Sequence, residues 1–379
     1  MLTETLQFSD DALAALPARP GVFILRGDPG AEPYVAKSAN LKHRLMRLLG
    51  PAEEGSKKLN LRDQTQTIEY SITGSDFENR FLLYKTLREI FPNDYRERLK
   101  LRPAPLIRLN LDNEYPRAYV TRKIGRLTGK SIYYGPFASR AAAEKFLNGS
   151  LDFFKMRRCD FDLSPDPAFP GCMYSEMKMC LAPCFKGCTN EAYQVEVSRV
   201  QNYLDSGGAS LRREIEAQRE AASAAMEFEN ASAIHARMGK LAPVAHLLPE
   251  VAGPLSRLNG VMVQTSAEPN SVALLRITKG MISPPAAFAI EQASSAKSQS
   301  MESRLSTAIA EIPSADPASA AELTEHIALL KRWFFRSSRM GEIFLCDEKG
   351  ELPMRRLVRG VSRVFRGERQ IETGQIELG

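Results

Sequence analysis

Residues Cys159 to Cys188 read CDFDLSPDPAFPGCMYSEMKMCLAPCFKGC and hold five of the six cysteines of the chain. Twelve residues separate Cys159 from Cys172, seven separate Cys172 from Cys180, and three separate Cys180 from Cys184, with Cys188 after three more. Thiols this dense in sequence hold either a metal or a disulfide framework. The compartment decides between them. The N-terminus, MLTETLQFSDDALAALPARPG, has no basic stretch followed by an apolar core, so no secretory signal is expected. No apolar run approaches the roughly 18 residues that span a bilayer, so no membrane association is expected. A cytoplasmic location follows as the expectation, and disulfides are disfavoured there. The cysteines therefore read as metal ligands in preference to a disulfide framework, with buried reduced thiols as the plain alternative.

Working outward, 379 residues suggest several domains, and 44% hydrophobic with 25% charged residues is ordinary for a globular chain. The 51 basic and 45 acidic residues leave a net charge of +6, which permits nucleic-acid binding without demanding it. Basic side chains crowd Arg96–Arg108, Arg117–Lys130 and Arg355–Arg369, stripes that serve either as solvated faces or as phosphate contacts.

The fold class read from the pattern is α+β and multidomain. Residues 1–100 form a small α/β unit. Gly21–Leu25 and Pro33–Ala36 pair as a hairpin across Asp28-Pro29-Gly30. Asn40 caps a helix carrying Leu41, Leu45 and Leu48 on one face. Thr67–Ile72 is a third strand, and a helix runs from about Ser75 to Ile90 before Pro92. Residues 101–190 are a middle region of strands, a helix and the cysteine segment. Residues 191–248 are helical, broken at Ser206-Gly207-Gly208 and turning again near Glu227 and Phe228. Residues 249–379 form a C-terminal α/β segment: an antiparallel meander over 258–290, a linker at Ala293–Ser300, a helix over Ala321–Phe335 and a strand over Glu342–Cys346 leading to a basic tail.

Taken in order, these features resemble the UvrC family, an excinuclease component of bacterial nucleotide excision repair, from about residue 17 through at least residue 241. Pro20-Gly21-Val22-Phe23 with Tyr34-Val35-Ala36-Lys37-Ser38-Ala39-Asn40-Leu41 and Arg44 looks like that family's GIY-YIG nuclease module. Thr73–Glu78, Tyr115-Pro116 and Tyr133–Phe137 match the signatures that follow, and Cys172-Met173-Tyr174 with Cys180–Cys184 resembles the cysteine signature. Met226–Ala231 stands where the family's UVR motif stands, a helical hairpin that pairs with UvrB, another component of the excinuclease. Residues 258–346 loosely resemble the segment after that motif. The family's RNase H-like nuclease and helix-hairpin-helix modules are expected to be absent, and the chain reads as a truncated form.

The resemblance implies a site in which a tyrosine-assisted water attacks a phosphate held by one divalent ion, Mg or Mn, bound by a helix glutamate. Tyr34, Lys37 and Arg44 match the family's tyrosine, lysine and arginine. Two positions depart. The first signature tyrosine is Phe23, which has no hydroxyl, and the metal-binding glutamate falls at Leu83, which offers no oxygen. Ala36 replaces the signature glycine. Glu78 and Glu89 lie on other helical faces, and Asp76 shares the face of Leu83 but lies two turns away, ~10.5 Å along the axis. The expectation is a degenerate site that has lost cleavage.

The same resemblance implies an iron–sulfur cluster, a 4Fe–4S cubane held by Cys159, Cys172, Cys180 and Cys184; zinc suits four thiolates equally. Cys188 is a possible replacement ligand, and Cys346 reads as a core residue. In the UVR-like hairpin, Phe228 is the anchor for UvrB and Glu229 a polar contact, against the alternative of a hairpin packed within this chain. His235-Ala236 stands where the family has Arg-Asp, which removes a charge pair. The functional expectation is a DNA-binding, non-cleaving accessory homologue. The alternatives are a single-incision endonuclease with a relocated metal ligand, or a metal-cluster scaffold without a repair role.

Overall fold

The computed structural model describes residues 3–51, 59–290, 299–314 and 316–368. Many of the longer helices begin at a side chain that accepts the first free amide, three residues on. Asn40, Ser75, Ser139, Thr189 and Ser319 all cap in this way. The caps at Asn40, Ser75, Thr189 and Ser319 place helix starts within a residue or two of the positions expected from sequence.

The first unit contains β1 (Glu4–Gln7), α1 (Asp10–Ala15), β2 (Gly21–Arg26), β3 (Tyr34–Ser38), α2 (Leu41–Leu49), β4 (Thr67–Ile72), α3 (Asp76–Ile90) and α4 (Tyr95–Leu99). Its strands lie in the order β1-β4-β2-β3. Every pairing is antiparallel, so the sheet is of the α+β kind rather than a parallel α/β one. Alternation along the strands gives each face its own partner. Phe23, Leu25 and Ile68 pack against Leu41, Leu45 and Leu48 of α2. The tight approach of α2 requires Gly21, where a Cβ would stand 2.3 Å from the Ser71 carbonyl and 2.7 Å from Leu41. On the other face lies α3, tied down where Asn79 donates to the Ser38 carbonyl at 3.0 Å.

The middle region contains β5 (Leu106–Asn110), β6 (Arg117–Thr121), β7 (Ile132–Gly135), α5 (Arg140–Leu151), α6 (Met173–Glu176) and α7 (Asn190–Asp205). The hairpin α8 (Ala209–Ala224) and α9 (Phe228–Ala245) follows, and β8 (Gly253–Pro254) returns to complete the sheet β6-β5-β7-β8. Phe146 stacks on Tyr203, and Phe154 meets the same ring edge-on, so α5 and α7 close over a core that runs into the cysteine segment. The break between α7 and α8 uses Gly207 and Gly208, both at positive φ, as the sequence suggested.

The last unit contains β9 (Gly260–Thr265), β10 (Ser271–Thr278), β11 (Met281–Ile282), β12 (Ala286–Ala289), α10 (Met301–Glu311), α11 (Ala320–Phe334), β13 (Glu342–Leu345) and α12 (Met354–Phe365). The third arm of the expected meander is split, since β11 and β12 both pair with β10. Val261 and Val263 face α10 and α12, whereas Met262 and Leu275 face α11. Most of the expected basic tail is the amphipathic helix α12. It buries Leu357, Val361 and Val364, and its Arg363 forms a forked pair with the buried Glu342 at 2.8 and 2.6 Å. The linker residues 293–298 and Arg369 lie outside the described residues.

One apolar cluster joins all three parts. Phe77, Phe81, Tyr84 and Leu87 of α3 pack with Leu106 and Tyr133 of the middle sheet and with Met281, Ile327 and Trp333 of the last unit. Linked domains move relative to one another by default unless their interface is large and apolar. At about 1.5–3 kcal/mol per fully buried large side chain, this shared core holds α3 firmly against α11. No described helix is long and apolar enough to cross a membrane.

Candidate functional site

The expected nuclease-like residues fall into two groups. On one face of the first sheet, the Arg44 guanidinium donates to the Tyr34 hydroxyl at 3.2 Å, and Phe23 lies 6.1 Å from Tyr34 between ring centroids. Phe23 is fully buried and serves the α2 core, as a ring without a hydroxyl can. Ala36 packs on this face too. Strand alternation sends Lys37 to the opposite face, where its Nζ donates to Asp76 Oδ1 at 3.0 Å. Tyr34 and Arg44 thus stay together, and Lys37 is turned toward α3.

Leu83 is half-buried on α3 and packs, like Val35, against the shared apolar cluster. Among the described residues, no free carboxylate beside Leu83 stands in for a metal-binding glutamate. Asp76 accepts from Lys37 through one oxygen and from Arg80, at 2.9 Å, through the other, and Arg336 reaches that second oxygen from beyond α11. Burial alone would raise the Asp76 carboxyl, but hydrogen bonds from Arg80 and Lys37 outweigh it and hold the group at about 2. Glu78 is committed to the helix start, accepting from the Gly74 amide at 2.6 Å, and burial pushes its carboxyl up. Glu89 is exposed.

The surroundings of Asp76 contain a basic patch that sequence reasoning missed. Lys37 and Arg80 belong to the first unit, whereas Arg332 and Arg336 arrive from the last one. Burial lowers the Arg332 guanidinium, and its neighbours Arg80 and Arg336 lower it further. These cations outnumber the one carboxylate they share. The signal in the sequence was only two arginines at the end of an apolar helix.

In the cysteine segment, the four expected ligands are near enough to influence one another electrostatically. Burial pushes the Cys180 thiol up to about 11, and Cys159, Cys184 and Cys172 each stand close enough to oppose its ionisation further. The Ala182 amide donates to Cys180 Sγ at 3.3 Å, and Arg157 Nη1 donates to Cys159 Sγ at 3.3 Å. Cys188 lies to one side, next to Cys184 and Tyr115, and Cys346 is half-buried at the end of β13. Among the described residues, no set of three or more His, Cys, Asp or Glu side chains is drawn together at metal-holding geometry. The donor chemistry nevertheless fits a metal–thiolate centre, and so does one orphaned group. Arg157, whose Nη1 meets Cys159 Sγ, has its Nη2 buried without a partner among the described residues. Of the basic and aromatic residues that flank the segment, Phe154 and Arg157 pack inward, while Lys155, Lys178 and Lys186 are exposed.

At the far end, α8 and α9 meet in a tight turn with Met226 at positive φ. Met226 and Phe228 are 76% and 71% exposed, and Glu229 is exposed beside them. The body of the hairpin packs within this chain through Leu211, Ile215 and Leu241, and the tip does not. His235 is exposed.

Residues 104–203, from β5 to the last turn of α7, match the UvrC/Cho excinuclease middle domain. The UvrABC system protein C of Pediococcus pentosaceus is 31% identical over 225 residues, covering 59% of this chain and 36% of that protein. The same-named protein of Moorella thermoacetica is 30% identical over 224 residues, with coverage of 59% and 36%. That of Maricaulis maris is 30% identical over 241 residues, with coverage of 62% and 36%. The chain thus spans about a third of the length of these relatives. No solved structure matches the chain significantly.

Proposed function

We propose that this chain, whose residues 104–203 match the UvrC/Cho excinuclease middle domain and whose relatives include UvrABC system protein C sequences, is a DNA-binding, non-cleaving member of the UvrC family that serves nucleotide excision repair as an accessory subunit. The observation that carries the reading is the state of α3. The position expected to bind a divalent ion is Leu83, packed on the shared core, and the carboxylate on the same face, Asp76, is engaged by three cations. Removing the metal removes the electrostatic stabilisation that dominates most phosphoryl chemistry.

Phosphate binding without cutting is supported by the basic patch of Lys37, Arg80, Arg332 and Arg336, and by the Tyr34–Arg44 pair on the opposite face. Partner binding is supported by the hairpin tip. Phe228 is largely exposed among the described residues and suits a similar hairpin on UvrB. Cys159, Cys172, Cys180 and Cys184 are proposed to hold a 4Fe–4S cluster or zinc, on the chemistry of a four-thiol donor set.

The test is incubation with lesion-bearing duplex DNA at low salt, with Mg or Mn. The expected result is a retarded complex with both strands intact. A metal-dependent nick that disappears in Tyr34→Phe would overturn the non-cleaving reading in favour of a single-incision nuclease. Absence of any complex at low salt, where phosphate contacts are strongest, would overturn the DNA-binding reading.

A further inference from the structure

Arg157 is 1% exposed and heads the largest fully buried side chains of the protein. Its Nε donates to the Tyr115 carbonyl at 2.8 Å, and its Nη1 donates to the Phe161 carbonyl at 2.9 Å and to Cys159 Sγ at 3.3 Å. The Arg157 amide donates to the Tyr193 hydroxyl at 3.2 Å, which fixes the backbone. Nη2 donates to nothing, and no carboxylate among the described residues forms a salt bridge with this guanidinium.

A buried cation held by neutral carbonyls alone is costly, because burial strips the hydration that a charge requires. A guanidinium keeps its charge in cells and offers five N–H donors in a fixed fork. Apart from the two carbonyls, the acceptor that this fork meets is a sulfur, Cys159 Sγ. Four protonated thiols would leave the charge uncompensated, whereas four thiolates around a divalent zinc ion or an oxidised 4Fe–4S core carry net negative charge.

We propose that Arg157 is the buried counter-charge of an anionic metal–thiolate centre formed by Cys159, Cys172, Cys180 and Cys184, and that its free Nη2 edge donates to that centre. This rests on the reading that the four thiols hold a metal. Arg157 acts as a positioning residue. It fixes Cys159, and its positive charge stabilises the centre against loss of its metal. With an iron–sulfur core, it also raises the reduction potential, since hydrogen bonds and positive charge near the sulfurs favour the more reduced state. Cys188, next to Cys184 and without a contact to Arg157, stands outside this arrangement.

The experiment uses the full chain purified without oxygen, with iron, sulfide and zinc measured directly. The wild type is expected to carry one metal–thiolate centre per chain, and absorbance near 400 nm distinguishes iron–sulfur from zinc. A wild type that binds neither, before or after reconstitution, overturns the reading of the thiols and the proposal with it. Given a loaded wild type, Arg157→Met is expected to lose metal to a chelator on the order of 10-fold faster, and Cys188→Ser to behave as wild type. The metal-free forms supply the readout that a merely structural arginine would not move. Metal-free Arg157→Met should melt at a higher temperature than metal-free wild type, because an uncompensated buried charge has been removed. Loss of stability in both forms, or unchanged metal retention, would overturn the role of Arg157. If Arg157→Met does not accumulate, Arg157→Lys decides: metal retention between those of wild type and Cys159→Ser supports the counter-charge, and retention equal to Cys159→Ser rejects it.

Discussion

The Tyr84 hydroxyl donates to the Glu325 carboxylate at 2.9 Å across 241 positions of sequence. The Tyr95 hydroxyl and Arg96 Nε reach its other oxygen, each at 2.7 Å. Three groups from the first unit thus converge on one buried acceptor of the last unit. Burial and the neighbouring carboxylate push both phenols up, so they stay protonated donors. Glu325→Ala leaves two largely buried hydroxyls and part of a guanidinium without an acceptor, and should cost about 3 kcal/mol. Glu325→Gln, which keeps two acceptor lone pairs, should cost less. Urea denaturation checks this; equal midpoints for Glu325→Ala and wild type would remove Glu325 as the junction.

His326 gives the same junction a pH dependence. Its Nδ1 accepts from the Ile282 amide at 2.9 Å, and Phe81 and Tyr84 meet its ring edge-on. Burial pushes the imidazole down to about 4, against the opposing influence of Glu322 and Glu325 and with support from Arg88 and Lys85. Between the unfolded value of about 6.5 and the folded value, the unfolded chain binds the extra proton, so stability rises with pH through this window. On acidification from pH 7 to pH 4 this group should remove about 3 kcal/mol. The loss should be largely absent in His326→Gln, as followed by thermal melts across that range. A His326→Gln profile that tracks wild type through the window would rule out this histidine as the source.

The basic patch around Asp76 should read out as salt dependence. Each lost phosphate contact lowers the slope of log affinity against log salt by about 1. Arg332→Ala and Arg336→Ala are therefore expected to weaken duplex binding and flatten that slope. Arg140→Ala, which removes a surface arginine paired with Glu144, should leave it unchanged. Identical slopes for all four proteins would place the DNA elsewhere.

The hairpin tip separates partner binding from stability. Phe228 is 71% exposed, so Phe228→Ala should change the stability of this chain by less than about 0.5 kcal/mol. Loss of a central aromatic anchor typically costs about 2 kcal/mol or more at an interface, roughly 30-fold in affinity. Titration with UvrB, or with its isolated hairpin, measures this. Equal affinity for wild type and variant would mean that the tip is not the docking surface.

Much of the first unit was legible because its signals are local. Asn40 and Ser75 announce helix starts through their own side chains, Gly207 and Gly208 mark a break, and leucines at helical spacing identify the buried face of α2. Phe23 and Leu83 are legible without any geometry as positions that offer neither a hydroxyl nor a carboxylate. The expected α+β class held, although the first sheet is antiparallel throughout and most of the basic tail is a helix.

The sequence by itself determined where the helices begin, which side chains lack a hydroxyl or a carboxylate, and which cysteines are close enough in the chain to act together. Tertiary structure alone decided that Lys37 turns away from Tyr34 toward Asp76, that α3 docks on α11, and that Arg157 is buried against Cys159 with no salt bridge to a carboxylate among the described residues. The physical reason is range. Capping, turns and periodicity are energies between near neighbours, and composition records them directly. Meeting Glu325 with Tyr84, or enclosing Arg157 between Tyr115 and Cys159, depends on how whole elements pack, and no local pattern of residues encodes that.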